Sequence, residues 1–210
     1  MEAPRLATFV QTVPGRELVL AGLEQSLRES DVGEDYTVVE HPPGVSVAEF
    51  FLDVLRTMAS SDAELLLRLE DDALVNRHLR HNLTHWAPVG DEDFGAGWIY
   101  SPALTSCDVT HKRRLRVKPR QRIIGGGVGI LFRRSDMPWM IEGCERWFGE
   151  KGGDAMDYAV SDAVYRAERQ LYLHDPPLVE HRITKSSLGH PMWPSQCTQG
   201  AFKLNWRCPA

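Results

Sequence analysis

No stretch of the 210 residues approaches the roughly 18 consecutive apolar residues of a membrane-spanning helix. The opening Met1-Glu2-Ala3-Pro4-Arg5-Leu6 lacks the basic-then-apolar order of a leader peptide, so a soluble chain with no membrane span is expected. Cysteine is scarce. Cys107, Cys144, Cys197 and Cys208 form no Cys-x-x-Cys pair and no zinc-like spacing, which points to free thiols in a reducing, cytoplasmic setting. Positive charge is in the minority, and the net charge of −5 argues against general nucleic-acid binding. A dinucleotide fingerprint is missing too. Gly125-Gly126-Gly127-Val128-Gly129 follows no strand and leads into the strand-like Ile130-Leu131-Phe132, where that fingerprint would open a helix. There is also no N-terminal glycine-rich loop with a lysine for a triphosphate, and Pro14-Gly15-Arg16 is a poor substitute.

What the chain does have is 42% hydrophobic residues, enough to bury the core of one compact domain spanning 1–210. Leu6 to Val13 is apolar and β-branched and stops at Pro14-Gly15, as a strand running into a loop does. Leu18, Leu20, Leu23 and Leu27 recur near helical spacing. Tyr36 to Glu40 reads as a second strand. Ser46 and Glu49 have capping-box spacing ahead of a stripe of Phe50, Phe51, Val54, Leu55 and Met58, and Leu65 to Leu69 is a third strand. This β-α-β-α-β order predicts an α/β fold with a mainly parallel central sheet flanked by helices, whose ligands gather at the carboxyl ends of the strands.

The third strand ends in Glu70-Asp71-Asp72. Three adjacent acids repel one another, and a divalent cation would relieve them; hard oxygen ligands favour manganese or magnesium. The plainer alternative is a solvated loop, or a cap on the helix suggested by Asn76 to Trp86. Further along, Gly97 to Pro102 reads as a short strand. The basic segment 111–122 is either a solvated loop or a lid whose arginines meet phosphates. The glycines 125–127 either admit a sugar or phosphate close to the backbone or form a bulge before a strand. Ser135 to Phe148 reads as helical, its aromatics belonging to the core more readily than to a sugar platform. A second helix follows Gly152-Gly153 with Asp154 as its expected cap, Asp157 in its first turn and Asp162 pointing elsewhere. Pro176-Pro177 leads into Leu178-Val179-Glu180-His181, which puts His181, a metal-ligating residue type, at a strand tip.

These motifs together resemble the GT-A fold of nucleotide-sugar-dependent glycosyltransferases, in an arrangement similar to relatives of branching N-acetylglucosaminyltransferases and lipooligosaccharide glycosyltransferases. The resemblance runs from Leu6 to about Gly189, including Ser186-Ser187-Leu188-Gly189. It implies a nucleotide-sugar-binding half over 1–100 and an acceptor-side half over 101–210. It further implies Asp72 as metal ligand with His181 completing the site, Glu70 and Asp71 near the nucleotide, and Gly125, Gly126 and Gly127 beside donor sugar and acceptor. Asp157 would be the base of an inverting transfer, with Asp162 as fallback. The expected cofactor is Mn2+ or Mg2+, the donor a UDP-sugar, and the acceptor a hydroxyl on a glycan or lipid-linked sugar. Two departures stand out: Glu-Asp-Asp is not a strict Asp-x-Asp, and Met156 stands where an acid is usual. The competing readings are a sugar nucleotidyltransferase and a non-catalytic carbohydrate- or polyanion-binding module.

Overall fold

A computed structural model describes residues 3–100, 108–109, 114–116, 126–182 and 202–208. The expected first half is present in order: β1 (Leu6–Thr12), α1 (Glu17–Arg28), β2 (Tyr36–Glu40), α2 (Val47–Ala59) and β3 (Leu65–Glu70). The start of α2 is fixed by the capping box. The Glu49 N–H donates to Ser46 Oγ at 3.2 Å, and the Ser46 N–H donates back to Glu49 Oε2 at 3.1 Å, so two orphan donors of the first turn are satisfied.

After β3 come the short β4 (Ala73–Val75), α3 (Leu79–Thr84), β5 (Phe94–Trp98), β6 (Asp108–Val109), β7 (Arg114–Arg116), β8 (Gly129–Arg133), α4 (Met137–Lys151), α5 (Met156–Arg166), β9 (Gln170–Leu173) and β10 (Val179–His181). Three expectations need adjusting. The strand expected from Gly97 begins earlier, at Phe94, and the helix expected over Asn76 to Trp86 is only six residues long. Asp154 does not cap α5: the N-cap position belongs to Ala155, with no side-chain cap bond.

The main sheet runs β2-β1-β3-β8-β5-β9-β7-β6. β1 is parallel to β2 and β3, and β5 is parallel to β9. β8 is antiparallel to both β3 and β5, so β5 and β9 point the same way as β1 to β3 and the central sheet is mainly parallel. β7 is likewise antiparallel to β9 and to β6 at the far edge, but the reversal at β8 is the one with a consequence for the site. Gly129, the first residue of β8, lies opposite Leu69 near the end of β3, so the glycine segment before β8 reaches the carboxyl edge of its parallel neighbours.

The alternation of β3 feeds two cores. Leu65, Leu67 and Leu69 join Leu23 and Leu27 of α1 and Leu79 and Leu83 of α3 on one face. Leu66 joins the other, with Phe50, Phe51 and Leu55 of α2, Met140 and Cys144 of α4 and Val160 of α5. Trp139, Ile141, Trp147 and Phe148 pack against this second core, as expected of the aromatics on α4. Leu18, expected on the buried face of α1, is 92% exposed. Asn82, in a sequence fitting a glycosylation sequon, is fully buried, and its amide donates to Asn76 Oδ1 and to the Trp206 carbonyl; it is inaccessible to a glycosylating enzyme.

Candidate active site at the carboxyl edge of the sheet

β3 delivers Glu70 at its end and Asp71 and Asp72 just beyond it. The register pairing Gln11 with Glu70 places Thr12, the last residue of β1, beside Asp71, and the Thr12 hydroxyl donates to Asp71 Oδ2 at 2.7 Å. From the loop before α1, Arg16 reaches the same carboxylates. Its Nε donates to both oxygens of Asp71 at 2.9 Å, and its second terminal nitrogen donates to Asp71 Oδ1 at 2.7 Å and Asp72 Oδ2 at 2.9 Å. Burial works against the charge of Arg16, but its bonds to Asp71 and Asp72 prevail and raise its pKa above the ordinary value.

His181 arrives from 109 residues away along the chain. The ladder between β10 and β4 explains how: His181 lies opposite Ala73, and the Arg182 N–H donates to the Asp72 carbonyl at 2.9 Å. The imidazole Nε2 then sits 3.1 Å from Asp72 Oδ2. The bond to Asp72 raises the pKa of His181 against the opposing effect of burial.

A second constellation lies on the α2, α4 and α5 side of β3. Arg68 is fully buried in mid-strand. Its Nε donates to Gln11 Oε1 at 2.8 Å, and its two terminal nitrogens donate to the Gly127 carbonyl at 2.6 Å and to Glu70 Oε1 at 3.1 Å. The guanidinium also lies over the Phe51 ring and 3.7 Å from Met156 Sδ. Burial raises the pKa of Glu70, an effect that Arg68 partly offsets. At the start of α5, Asp157 Oδ2 accepts the Gly126 N–H at 2.7 Å and Oδ1 accepts the Tyr158 N–H at 3.0 Å. Burial raises the pKa of Asp157 although both N–H groups and Arg68 work to lower it.

The glycine segment has a local reason for its composition. Gly126 has φ +93°, a conformation that L side chains rarely adopt. A Cβ on Gly127 would lie 3.3 Å from the Arg68 guanidinium, and one on Gly129 would lie 2.8 Å from Ile99. Gly125, most of the basic segment 111–122 and Ser186 to Gly189 lie outside the described residues.

The structure thus gathers Asp71, Asp72 and His181 into one cluster, and Glu70, Gly126, Gly127 and Asp157 around Arg68. Asp162 is not brought to either. It is buried where α5 meets α4 and accepts from Arg166 Nε at 2.6 Å, one helical turn away. Sequence reasoning missed Thr12, Gln11, Arg16 and Arg68. Only Arg68 left a signal: a cation inside a run of leucines requires a buried partner.

A divalent ion is implied by the fold resemblance, and the donor set can be tested against it. Two ligands in adjacent positions on an octahedral ion with bonds of roughly 2.1 Å stand about 3 Å apart. The 3.1 Å between Asp72 Oδ2 and His181 Nε2 fits that spacing. Among the described residues no group of three or more His, Cys, Asp or Glu side chains is placed to hold a metal, so an ion here would have Asp72 and His181 as its described protein ligands and would need water or phosphate in its other positions.

No family model and no curated protein matches the sequence. Solved structures do. The galactosyltransferase LgtC in complex with donor and acceptor sugar analogues is 12% identical, with a TM-score of 0.52 over 93% of this chain and 92% of that one. A glycosyltransferase involved in glycosylation of the major capsid of PBCV-1 is 13% identical, with a TM-score of 0.53 over 82% of this chain and 83% of that one. At such identities the likeness speaks to architecture alone, and it establishes a GT-A-type α/β fold with a mainly parallel central sheet.

Proposed function

We propose that this protein is a glycosyltransferase moving a sugar from a nucleoside-diphosphate donor, UDP-sugar being favoured, to an acceptor hydroxyl on a glycan or lipid-linked sugar. The observation that carries the reading is the 3.1 Å approach of His181 to Asp72 at the carboxyl edge of the sheet, within a fold shared with two solved glycosyltransferases. The motif resemblance of Glu70-Asp71-Asp72 and of Pro176 to His181 supports relatives of branching N-acetylglucosaminyltransferases or lipooligosaccharide glycosyltransferases.

Asp72 and His181 would hold Mn2+ or Mg2+, and a bound divalent ion supplies Lewis-acid stabilisation of a diphosphate leaving group. His181 serves this role as neutral imidazole with Nε2 free of its proton. Asp157 is the base: its carboxylate is held at the start of α5 by two backbone N–H groups, and it would accept the proton of the attacking hydroxyl in an inverting transfer. Arg68 positions this half of the site, because it binds the Gly127 carbonyl next to the residue whose N–H binds Asp157. Glu70 is read as the anionic partner of Arg68 and Asp71 as the anchor of Arg16. The test is release of nucleoside diphosphate from a panel of sugar nucleotides with Mn2+, with simple sugars as acceptors. Release that requires metal and is lost in Asp72→Asn supports the reading. Absence of release from every donor overturns it and leaves a binding module.

A further inference from the structure

We infer that Arg16 is a resident counter-cation that competes with the divalent ion for Asp72 and passes to the donor diphosphate when the site fills. The inference rests on the metal site proposed above. One terminal nitrogen of Arg16 bridges Asp71 Oδ1 and Asp72 Oδ2, and the oxygen it holds on Asp72 is the one that faces His181 Nε2. The carboxylate oxygen of the pair fitting an ion is therefore already engaged by a cation belonging to the chain. Arg16 also occupies the N-cap position of α1 and makes no side-chain cap bond there. A positive side chain at a helix N-terminus meets the positive end of the helix dipole, so its placement is favoured by the two acids and not by the helix it starts. Its Nε bonds to both oxygens of Asp71, which Thr12 also holds, make Asp71 a fixed anchor. The contact to Asp72 is a single hydrogen bond that can be exchanged. A planar guanidinium is suited to two-pronged contact with phosphate oxygens, and a diphosphate arriving beside Asp72 offers it a replacement anion.

Two opposite effects follow. Without Arg16, the acid pair keeps its negative charge and loses its competitor, so Mn2+ alone binds more tightly. Pyrophosphate, in the presence of saturating Mn2+, binds more weakly because one cationic partner is gone. Isothermal titration of the full chain with Mn2+ is the experiment, on native protein, Arg16→Ala, Arg16→Lys and Asp72→Asn, followed by titration of inorganic pyrophosphate at saturating Mn2+. Arg16→Ala is expected to tighten Mn2+ by about 10- to 100-fold, the worth of one charge-assisted hydrogen bond, and to weaken pyrophosphate by about 10-fold or more. Arg16→Lys, which keeps the charge but not the fork, falls between on both measures and guards against loss of folding in the alanine variant. If native protein binds Mn2+ through Asp72 but Arg16→Ala binds it no more tightly, Arg16 is only a pin for Asp71 and the inference fails while the metal site stands. If no variant binds Mn2+, the metal site and the inference fall together.

Discussion

Replacing Arg68 by Met is the perturbation whose cost can be worked out most fully. Met keeps an unbranched stem in place of the first four side-chain atoms of Arg68, while the guanidinium is removed together with its contacts to the Phe51 ring and Met156 Sδ. Three acceptors lose their donor: Gln11 Oε1, the Gly127 carbonyl and Glu70 Oε1. Stripping one partner from a fully buried ion pair costs about 3–5 kcal/mol, and each stranded buried acceptor about 1–3 kcal/mol. The Glu70 side chain is 28% exposed, so water relieves part of the loss and a total of about 4 kcal/mol is expected. For a chain of this size that lowers Tm by roughly 10 °C. Calorimetry and guanidinium chloride midpoints at neutral pH measure it. Adding Glu70→Gln to Arg68→Met removes the stranded charge and should restore about 1–2 kcal/mol. The deficit also depends on pH. Burial already raises the pKa of Glu70, and loss of Arg68 raises it further. A carboxyl with a raised folded pKa adds stability that is full below its unfolded value, about 4.3, and lost as pH rises through the folded value. The deficit therefore shrinks on acidification through that window. A loss below about 1 kcal/mol, or a double variant no more stable than Arg68→Met, would refute the buried-network argument.

The other predictions concern the reaction and the glycine turn. Asp157→Asn should lower transfer by about 100- to 10,000-fold while keeping donor affinity; equal loss of both would remove Asp157 from the role of base. The acid limb of kcat against pH should lie above the ordinary carboxylate range, because transfer needs ionised Asp157 and burial raises its pKa; a limb at or below that range contradicts this. Gly126→Ala, which forces φ +93° on a residue with a Cβ, should cost about 1–2 kcal/mol by denaturant midpoint and reduce transfer; a variant of native stability would place the strain elsewhere.

The first half of the fold was legible because each element there carries its own signal: apolar runs ending at Pro-Gly, a capping box before α2, leucines of β3 stopping at three acids. The second half was less so, since register and strand direction depend on partners far along the chain. Nothing near Gly129 announces that β8 runs antiparallel between β3 and β5. The pairing that joins His181 to Asp72 uses β4, only three residues long, in a stretch whose nearest pattern suggested a helix. Asp72 and His181 are paired at the level of sequence only by the motif resemblance, and their adjacency in the fold comes from that ladder. Arg16 had no pattern to mark it, being a lone basic residue after Pro14-Gly15 that finds its partners more than 50 residues away. Arg68 was overlooked for the opposite reason, hidden in an apolar run whose charge becomes intelligible only with Gln11, Glu70 and Gly127 around it.

The central claim is that Asp72 and His181 form a metal-assisted nucleotide site. Its most direct test is the thermal shift produced by UDP with and without Mn2+, on native protein and on Asp72→Asn. At about 100 times its Kd, a ligand adds about 2.7 kcal/mol, or roughly 5–10 °C at this chain length. The account predicts a shift of that size for native protein only when Mn2+ is present, and none for Asp72→Asn. A shift independent of metal and retained by Asp72→Asn, or no shift with UDP or any other nucleoside diphosphate, would contradict it.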